Sequence, residues 1–350
     1  MRIVFVGGPG RSGTSFVADR LGGHPQVALL KEIELKIFCE KNGLQDLFHA
    51  LVETYSPNRA VMALDQFRRM AEALIEGRYG QPALTTAAPA ADWRACFGAF
   101  TDRLVEDGHP APQTPERFFE TARALLRRIA ALAAAAGPPE NPPNYPGEDT
   151  LFLEKTPHNL LAIGFLARLA PGARFLHVMR DPRSIAWSLL AMRWGPDELT
   201  TAARWVDSYC RAWAAAEARA AALGLPLIRL YIEQAAAAPA AAGAWLTTQL
   251  GLHPLDGLFR DADPEMLNRW AAKADPAERA LLDARLGGWV AHFGYDPDRI
   301  GWRPSPAIPH PAPPQPATPG PATFHGTQPS APHAPGPVAS ADTQPPDTHP

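Results

Sequence analysis

The sequence predicts an α/β fold: a parallel sheet flanked by helices, with a helical insertion and a disordered proline-rich C-terminal tail. Three observations predict it. Short apolar runs alternate with amphipathic stretches of about ten residues or more, the pattern of strands joined by helical crossovers. A glycine-rich turn, GGPGRSGTS at residues 7–15, directly follows the first apolar run. Sixteen of the 39 prolines lie between Arg303 and Pro350.

Ile3-Val4-Phe5-Val6 reads as a buried strand over 2–6, and 13–21 as a helix with Phe16, Val17 and Leu21 as its apolar stripe. His24-Pro25 ends that helix, because the residue before a proline is pushed out of helical geometry. Residues 27–30 form a short apolar run, and KEIELKIFCE at 31–40 is expected to be helical. Residues 45–136 read as mostly helical, with breaks at Ser56-Pro57, 77–90 and 107–115, and Pro138 to Gly147 as a proline-rich loop. The strand pattern resumes at Leu151-Phe152-Leu153. A helix over 158–170, ended by Pro171-Gly172, a strand over 174–179, helices over 184–194 and 200–223, a strand over 227–231 and a helix over 240–250 follow. Residues 1–302 are therefore expected to form one domain, with 45–150 as a helical insertion or cap, and 303–350 the tail. Proline, alanine and small polar residues cannot bury enough apolar surface to offset the entropy of ordering such a segment. An inert tail is the preferred reading, and a role in binding a partner is the other.

Composition narrows the function classes. A hydrophobic fraction of 46% supports a large core, and a net charge of −3 favours neither nucleic acid nor an anionic membrane. Cys39, Cys96 and Cys210 are scattered and odd in number, which points away from a disulfide framework and towards a reducing, cytoplasmic compartment. No charge-free apolar window reaches eighteen residues, so no membrane span is expected. Nothing precedes the first strand, so no signal peptide is expected. Arginines outnumber lysines 28 to 5.

The turn at 7–15 raises a chemical question. Against the GxxxxGK[ST] pattern, Gly8 and Gly13 take the glycine positions, but Thr14 stands where the lysine belongs and Ser15 at the hydroxyl position. The amides of Gly10, Ser12, Gly13, Thr14 and Ser15 at a helix N-terminus still make a nest for an anion. The nearby cation is Arg11, within the turn.

GGPGRSGTS, followed by Leu21-Gly22-Gly23-His24-Pro25, resembles the 5′-phosphosulfate loop of the sulfotransferases, in the Arg-Ser-Gly-Thr branch that includes bacterial and tyrosylprotein sulfotransferases. The resemblance implies a P-loop NTPase-like fold and 3′-phosphoadenosine 5′-phosphosulfate as donor, without a metal. It implies a second anion site for the 3′-phosphate, which the family builds from a strand-end arginine and a serine eight residues later. FLHVMRDPRSIAWSLL supplies Arg180 and Ser188 at that spacing, with Arg183 as an additional contact. Phe152 to Pro157 is similar to the family's Lys-Thr-Pro strand end and contributes Lys155. Gly287 to Tyr295 looks like its closing helix, preceded by Asn268-Arg269-Trp270 where relatives have a basic loop. In place of the family's Tyr-Glu-Asp-Leu stands Ile232-Glu233-Gln234-Ala235, so the tyrosine position holds isoleucine.

The resemblance also implies roles. Glu32, seven residues after Pro25, is the expected base that takes the acceptor's proton. Glu34 is the fallback, on another face if 31–40 is helical, and His24 and His158 are weaker candidates. Lys155 or Arg11 would offset charge on the leaving oxygen. The acceptor, a hydroxyl or an amine, should meet residues 45–150. A nucleotide kinase or NTPase of the same fold, and a non-catalytic binding protein, are the alternatives.

Overall fold

The computed structural model describes residues 2–136 and 150–295. The expected loop at 138–147 and the proline-rich tail lie outside the described residues.

Strand β1 (Arg2–Gly7) runs into the glycine-rich turn and helix α1 (Thr14–Gly22), which returns the chain to β2 (Val27–Leu29). The insertion follows: α2 (Leu44–Phe48), α3 (Pro57–Ile75), α4 (Ala90–Asp102), a two-residue-per-strand hairpin of β3 (Val105–Glu106) and β4 (His109–Pro110), and α5 (Pro115–Ala135). Side chains set its helix starts: Ser56 accepts from the Arg59 amide and Thr114 from the Arg117 amide, each with a proline in the first turn. The second half runs β5 (Leu151–Lys155), α6 (Ile163–Leu169), β6 (Arg174–Met179), α7 (Pro182–Leu189), α8 (Leu199–Ala222), β7 (Leu227–Tyr231), α9 (Ile232–Ala237), α10 (Pro239–Leu250), α11 (Pro264–Lys273) and α12 (Pro276–His292).

The main sheet is parallel, in the order β2-β5-β1-β6-β7, with Val6 opposite Lys155 and Gly7 opposite His177. Alternation along the strands divides the core. Phe5, Phe152 and Phe175 face the insertion and α6, whereas Val4, Val6, Leu153, Leu176 and Val178 face α1 and α10. A third cluster joins α7, α8, α11 and α12 around Trp213, Trp270 and Leu286. The insertion shares its buried cluster with the sheet itself, from Phe5 through Phe67 and Phe118 to Phe175.

Four expectations are corrected. Residues 31–40 are not an α-helix: Glu32 is left-handed at φ 61°, and only Lys36–Phe38 makes a short 3₁₀ turn. The amides there are spent on side chains, Glu34 N–H on Gln81 Oε1 (3.1 Å) and Leu35 N–H on Glu154 Oε1 (3.1 Å), instead of on carbonyls one turn back. The segment 158–170 opens as a 3₁₀ turn, Pro157–Ala162, before α6. Helix α7 starts at Pro182 and ends at Leu189, short of Trp194, because the chain folds back until Gly195 packs on the Leu189 carbonyl, where an added Cβ would lie 1.9 Å from that oxygen. Asn268-Arg269-Trp270 lies inside α11, not in a loop.

Candidate functional site

The strand ends of a parallel sheet gather loops from distant parts of the chain. Here β1, β5 and β6 end side by side, which brings together residues 7–15, 154–159 and 180–188. Gly8 opens the turn at φ 151°, its amide donating to Pro157 O (2.9 Å). Arg11 and Gly13 follow at φ 72° and 98°, and Ser12 closes a tight turn onto Pro9 O (3.0 Å). Gly13 caps α1 without a side-chain acceptor, and no acidic residue stands in the first turn, so the first-turn amides are left open. Ser12 is fully buried, and its Oγ has no partner among the described residues. Thr14 is buried, Ser15 exposed and Gly10 half-buried.

Arg180 and Ser188 come to the same place. Arg11 donates through Nε to Ser188 Oγ (3.1 Å), and Arg180 Nη1 donates to Arg11 O (3.0 Å). Arg180 Nη2 reaches Leu267 O on α11 (3.3 Å), whereas its Nε is buried without a partner among the described residues. Burial holds the Arg180 guanidinium below the usual arginine range; the Glu233 charge opposes this and that of Arg11 adds to it.

Lys155 ends β5 with its side chain 5% exposed, and its Nζ meets Glu34 Oε1 at 3.0 Å. Glu154 fixes this corner from below. Its carboxylate accepts from the Thr156 hydroxyl (2.7 Å), the Leu35 amide and Asn159 Nδ2, and Asn159 in turn reaches Val6 O (3.0 Å) on β1. Burial pushes Glu154 up to about 7 against those hydrogen bonds. Glu32 is exposed and makes no hydrogen bond or ion pair among the described residues. Asp19 of α1 lies in the field of both Lys155 and Glu32, and burial, its main cause, raises its carboxyl.

Other expected residues sit elsewhere or are engaged. His24 accepts the Gln26 amide at Nδ1 (3.1 Å), so Nε2 carries the proton it gives to His253 O (2.9 Å). It clasps the far end of the sheet, where Gln26 O also takes the Leu151 amide, and burial lowers its pKa. His158 Nδ1 is 2.6 Å from Glu40 Oε1. Arg183 is buried between Asp181 (2.9 Å) and Asp283 (2.8 Å), 5.1 Å from the Trp270 ring centre, so it locks α7 to α11 and α12 and is not a ligand contact. Glu34 is not on a helix face opposite Glu32; the two share an irregular loop, one held by Lys155 and one open.

Two groups that sequence reasoning missed frame this region. Glu154 is one; its signal was a carboxylate inside an apolar strand. The second is Glu233, buried, which accepts the Asp181 amide (2.9 Å) and the Tyr295 hydroxyl (3.1 Å). Ile232 packs beneath Gly13, where an added Cβ would lie 3.1 Å from its Cγ1. Tyr231 turns away, donating to Phe293 O (2.9 Å).

Fold and cluster define a class: a parallel α/β protein that gathers open amides, two arginines and a lysine at the C-terminal ends of its strands. The sequence model of the sulfotransferase family matches residues 4–256, and the chain belongs to that family of enzymes. No curated protein matches it. Among solved structures it is similar to the sulfotransferase domain of the Synechococcus PCC 7002 olefin synthase (18% identity, 84% of this chain and 94% of that one, TM-score 0.47). It is also similar to the sulfotransferase domain from the curacin biosynthetic pathway (13%, 84% and 98%, TM-score 0.48) and to STF9 from Mycobacterium avium (14%, 84% and 77%, TM-score 0.39). These superpositions are loose, and the family assignment rests on the sequence match. Among the described residues no helix is long and apolar enough to cross a membrane, and no group of three or more His, Cys, Asp or Glu side chains is placed to hold a metal ion.

Proposed function

We propose that the protein transfers the sulfuryl group of 3′-phosphoadenosine 5′-phosphosulfate to a hydroxyl or amine acceptor. The observation that carries this reading is the meeting of Arg11, Arg180 and Ser188, from two motifs about 170 residues apart, beside a helix start with open amides. The residues present suit the donor. Ser12 Oγ and Arg180 Nε are buried polar atoms without partners, an arrangement that costs about 1–3 kcal/mol per group unless something satisfies it. Phosphate and phosphosulfate oxygens are the acceptors they lack.

When bound, the donor supplies an activated sulfuryl group, and the chain's residues hold and neutralise it. Gly10, Ser12, Gly13, Thr14 and Ser15 would hold the 5′ side through amides and hydroxyls, and Arg180 with Ser188 the 3′-phosphate. Lys155 would offset charge on the leaving oxygen, a contribution made in the transition state. Arg11, the other cation considered for that role, is turned towards Ser188. Glu32 would take the acceptor's proton: its carboxylate is open, and its left-handed backbone is the kind of strain that clusters at working sites. Glu34 neutralises Lys155 until the donor arrives. The insertion at 45–150 would shape the acceptor side, with 1–302 as one domain, and the three unpaired cysteines suit the cytoplasm.

Calorimetry tests this. Adenosine 3′,5′-bisphosphate should bind without magnesium, and Arg180→Ala should weaken it by 1.5–3 kcal/mol, about the worth of a charge-assisted hydrogen bond. Binding of magnesium-ATP in preference to the bisphosphate would sink the reading in favour of a nucleotide kinase. Tight binding with no turnover of any hydroxyl or amine acceptor would favour a non-catalytic protein.

A further inference from the structure

Arg11 contacts the second anion site twice, once with its side chain and once with its backbone. Its carbonyl holds Arg180 Nη1, and its Nε–H occupies a lone pair of Ser188 Oγ. A serine hydroxyl has one proton to donate. On helices of this chain that proton normally goes back to a carbonyl four residues earlier, as from Ser208 to Arg204 O (3.1 Å) and Thr248 to Ala244 O (2.9 Å). Ser188 makes no such bond among the described residues. With a cation on its oxygen and no carbonyl taking its proton, its hydroxyl is set up as a donor to an anion. We infer that Arg11 is a positioning residue for the 3′-phosphate site, aligning Ser188 and Arg180, and not the cation at the sulfuryl-transfer point.

The inference rests on the donor reading above and deepens it. Two consequences follow from the geometry. The 5′ turn and the 3′ site are one unit, because a single left-handed residue within the turn (φ 72°) sets both. Discrimination in favour of a 3′-phosphorylated nucleotide therefore depends on a side chain that belongs to the 5′ loop. Burial disfavours the charged form of Arg180, as does the neighbouring Arg11 charge, while Glu233 opposes both, so a phosphate there would relieve repulsion between the two guanidinium groups.

The test measures ligand preference, which a merely structural role would not move. Affinities for adenosine 3′,5′-bisphosphate and adenosine 5′-monophosphate are compared by calorimetry in the wild type, Arg11→Ala, Arg11→Lys, Ser188→Ala and the Arg11→Ala/Ser188→Ala double variant. The wild type should prefer the bisphosphate. Arg11→Ala should cut that preference about tenfold or more, the scale of one charge-assisted hydrogen bond. Arg11→Lys, which keeps charge without the Nε–H, should lose most of it too. The double variant should lose scarcely more than either single change, because both remove the same contact. Equal weakening of both nucleotides by Arg11→Ala would overturn the inference and return Arg11 to the 5′ side. So would a preference retained in Arg11→Lys, or fully additive losses. A wild type without preference would overturn the donor reading itself, an outcome distinct from the others.

Discussion

Lys155 Nζ and Glu34 Oε1 lie 3.0 Å apart, joining the end of β5 to the loop after β2 and leaving Glu32 free. The two glutamates therefore differ in kind. Glu34→Gln removes the counter-charge of a lysine whose side chain is 5% exposed. That change should cost roughly 2–4 kcal/mol, because it strands a buried charge. Urea unfolding checks it.

Glu32→Gln should leave stability nearly unchanged and lower kcat by about 10²–10⁴-fold, the usual worth of a general base. Donor affinity should hold, since a base acts in the transition state. Steady-state kinetics with an acceptor found by screening would decide, and normal turnover in this variant would move the base to Glu34 or His158.

Glu32→Gly carries the comparison further. A non-glycine residue at φ 61° bears a strain of about 1–2 kcal/mol that glycine does not. The variant should melt no lower than the wild type while losing turnover. A lower melting temperature would mean that the Glu32 side chain supports the fold.

The two glycines flanking Pro9 should behave oppositely. At Gly8 an added Cβ would lie 2.3 Å from Val178 O and the backbone stands at φ 151°, whereas at Gly10 nothing lies within 4 Å. Gly8→Ala should cost roughly 2–5 kcal/mol through overlap and strain together. Gly10→Ala should stay within about 0.5 kcal/mol. Thermal melts of the pair suffice.

Glu233 gives a pH signature. Burial raises its carboxyl from 4.5 to about 7 in the folded chain. Between those values the folded state holds the proton more firmly than the unfolded state, so stability falls as pH rises through the window and is level above it. Glu233→Gln removes that dependence. From pH 4 to pH 8 the variant should gain on the wild type by about 2–3 kcal/mol. Glu217 acts in the opposite sense: burial pushes it up, but hydrogen bonds from His177 and Arg229 outweigh that and hold it at about 2, so its contribution is lost as pH drops from 4.5 towards 2.

Much of the scaffold was legible because periodicity and punctuation agreed. Residues 174–179 and 227–231 emerged as strands with the predicted bounds, and Pro57 and Pro115 marked the helices of the insertion. The segment 31–40 misled because its apolar spacing suits a helix, yet Gln81 and Glu154, distant in sequence, claim its amides. Helix α9 passed unread because Ile232 to Ala237 is short and was weighed as a motif. The spacing of Arg180 and Ser188 suggested one place for both, but it could not show that Arg11 reaches across to the serine. That contact depends on the order in which parallel strands assemble. Arg183 illustrates the opposite error, since a basic residue in a basic motif turned out to serve two aspartates.

The sheet's middle strand has its own history. β1 is the first element of the chain, yet Arg2 pairs with Leu151, 149 positions later, and β6 lies beyond that. At translation rates of about 5–20 residues per second, Ile3-Val4-Phe5-Val6 emerges from the ribosome roughly 7–30 s before its first neighbour exists. During that interval the most apolar strand of the sheet has unpaired edges, while the insertion helices are still being made. Chaperone demand during synthesis should therefore concentrate on the first half of the chain, and a permuted chain that begins at β5 should shed much of it.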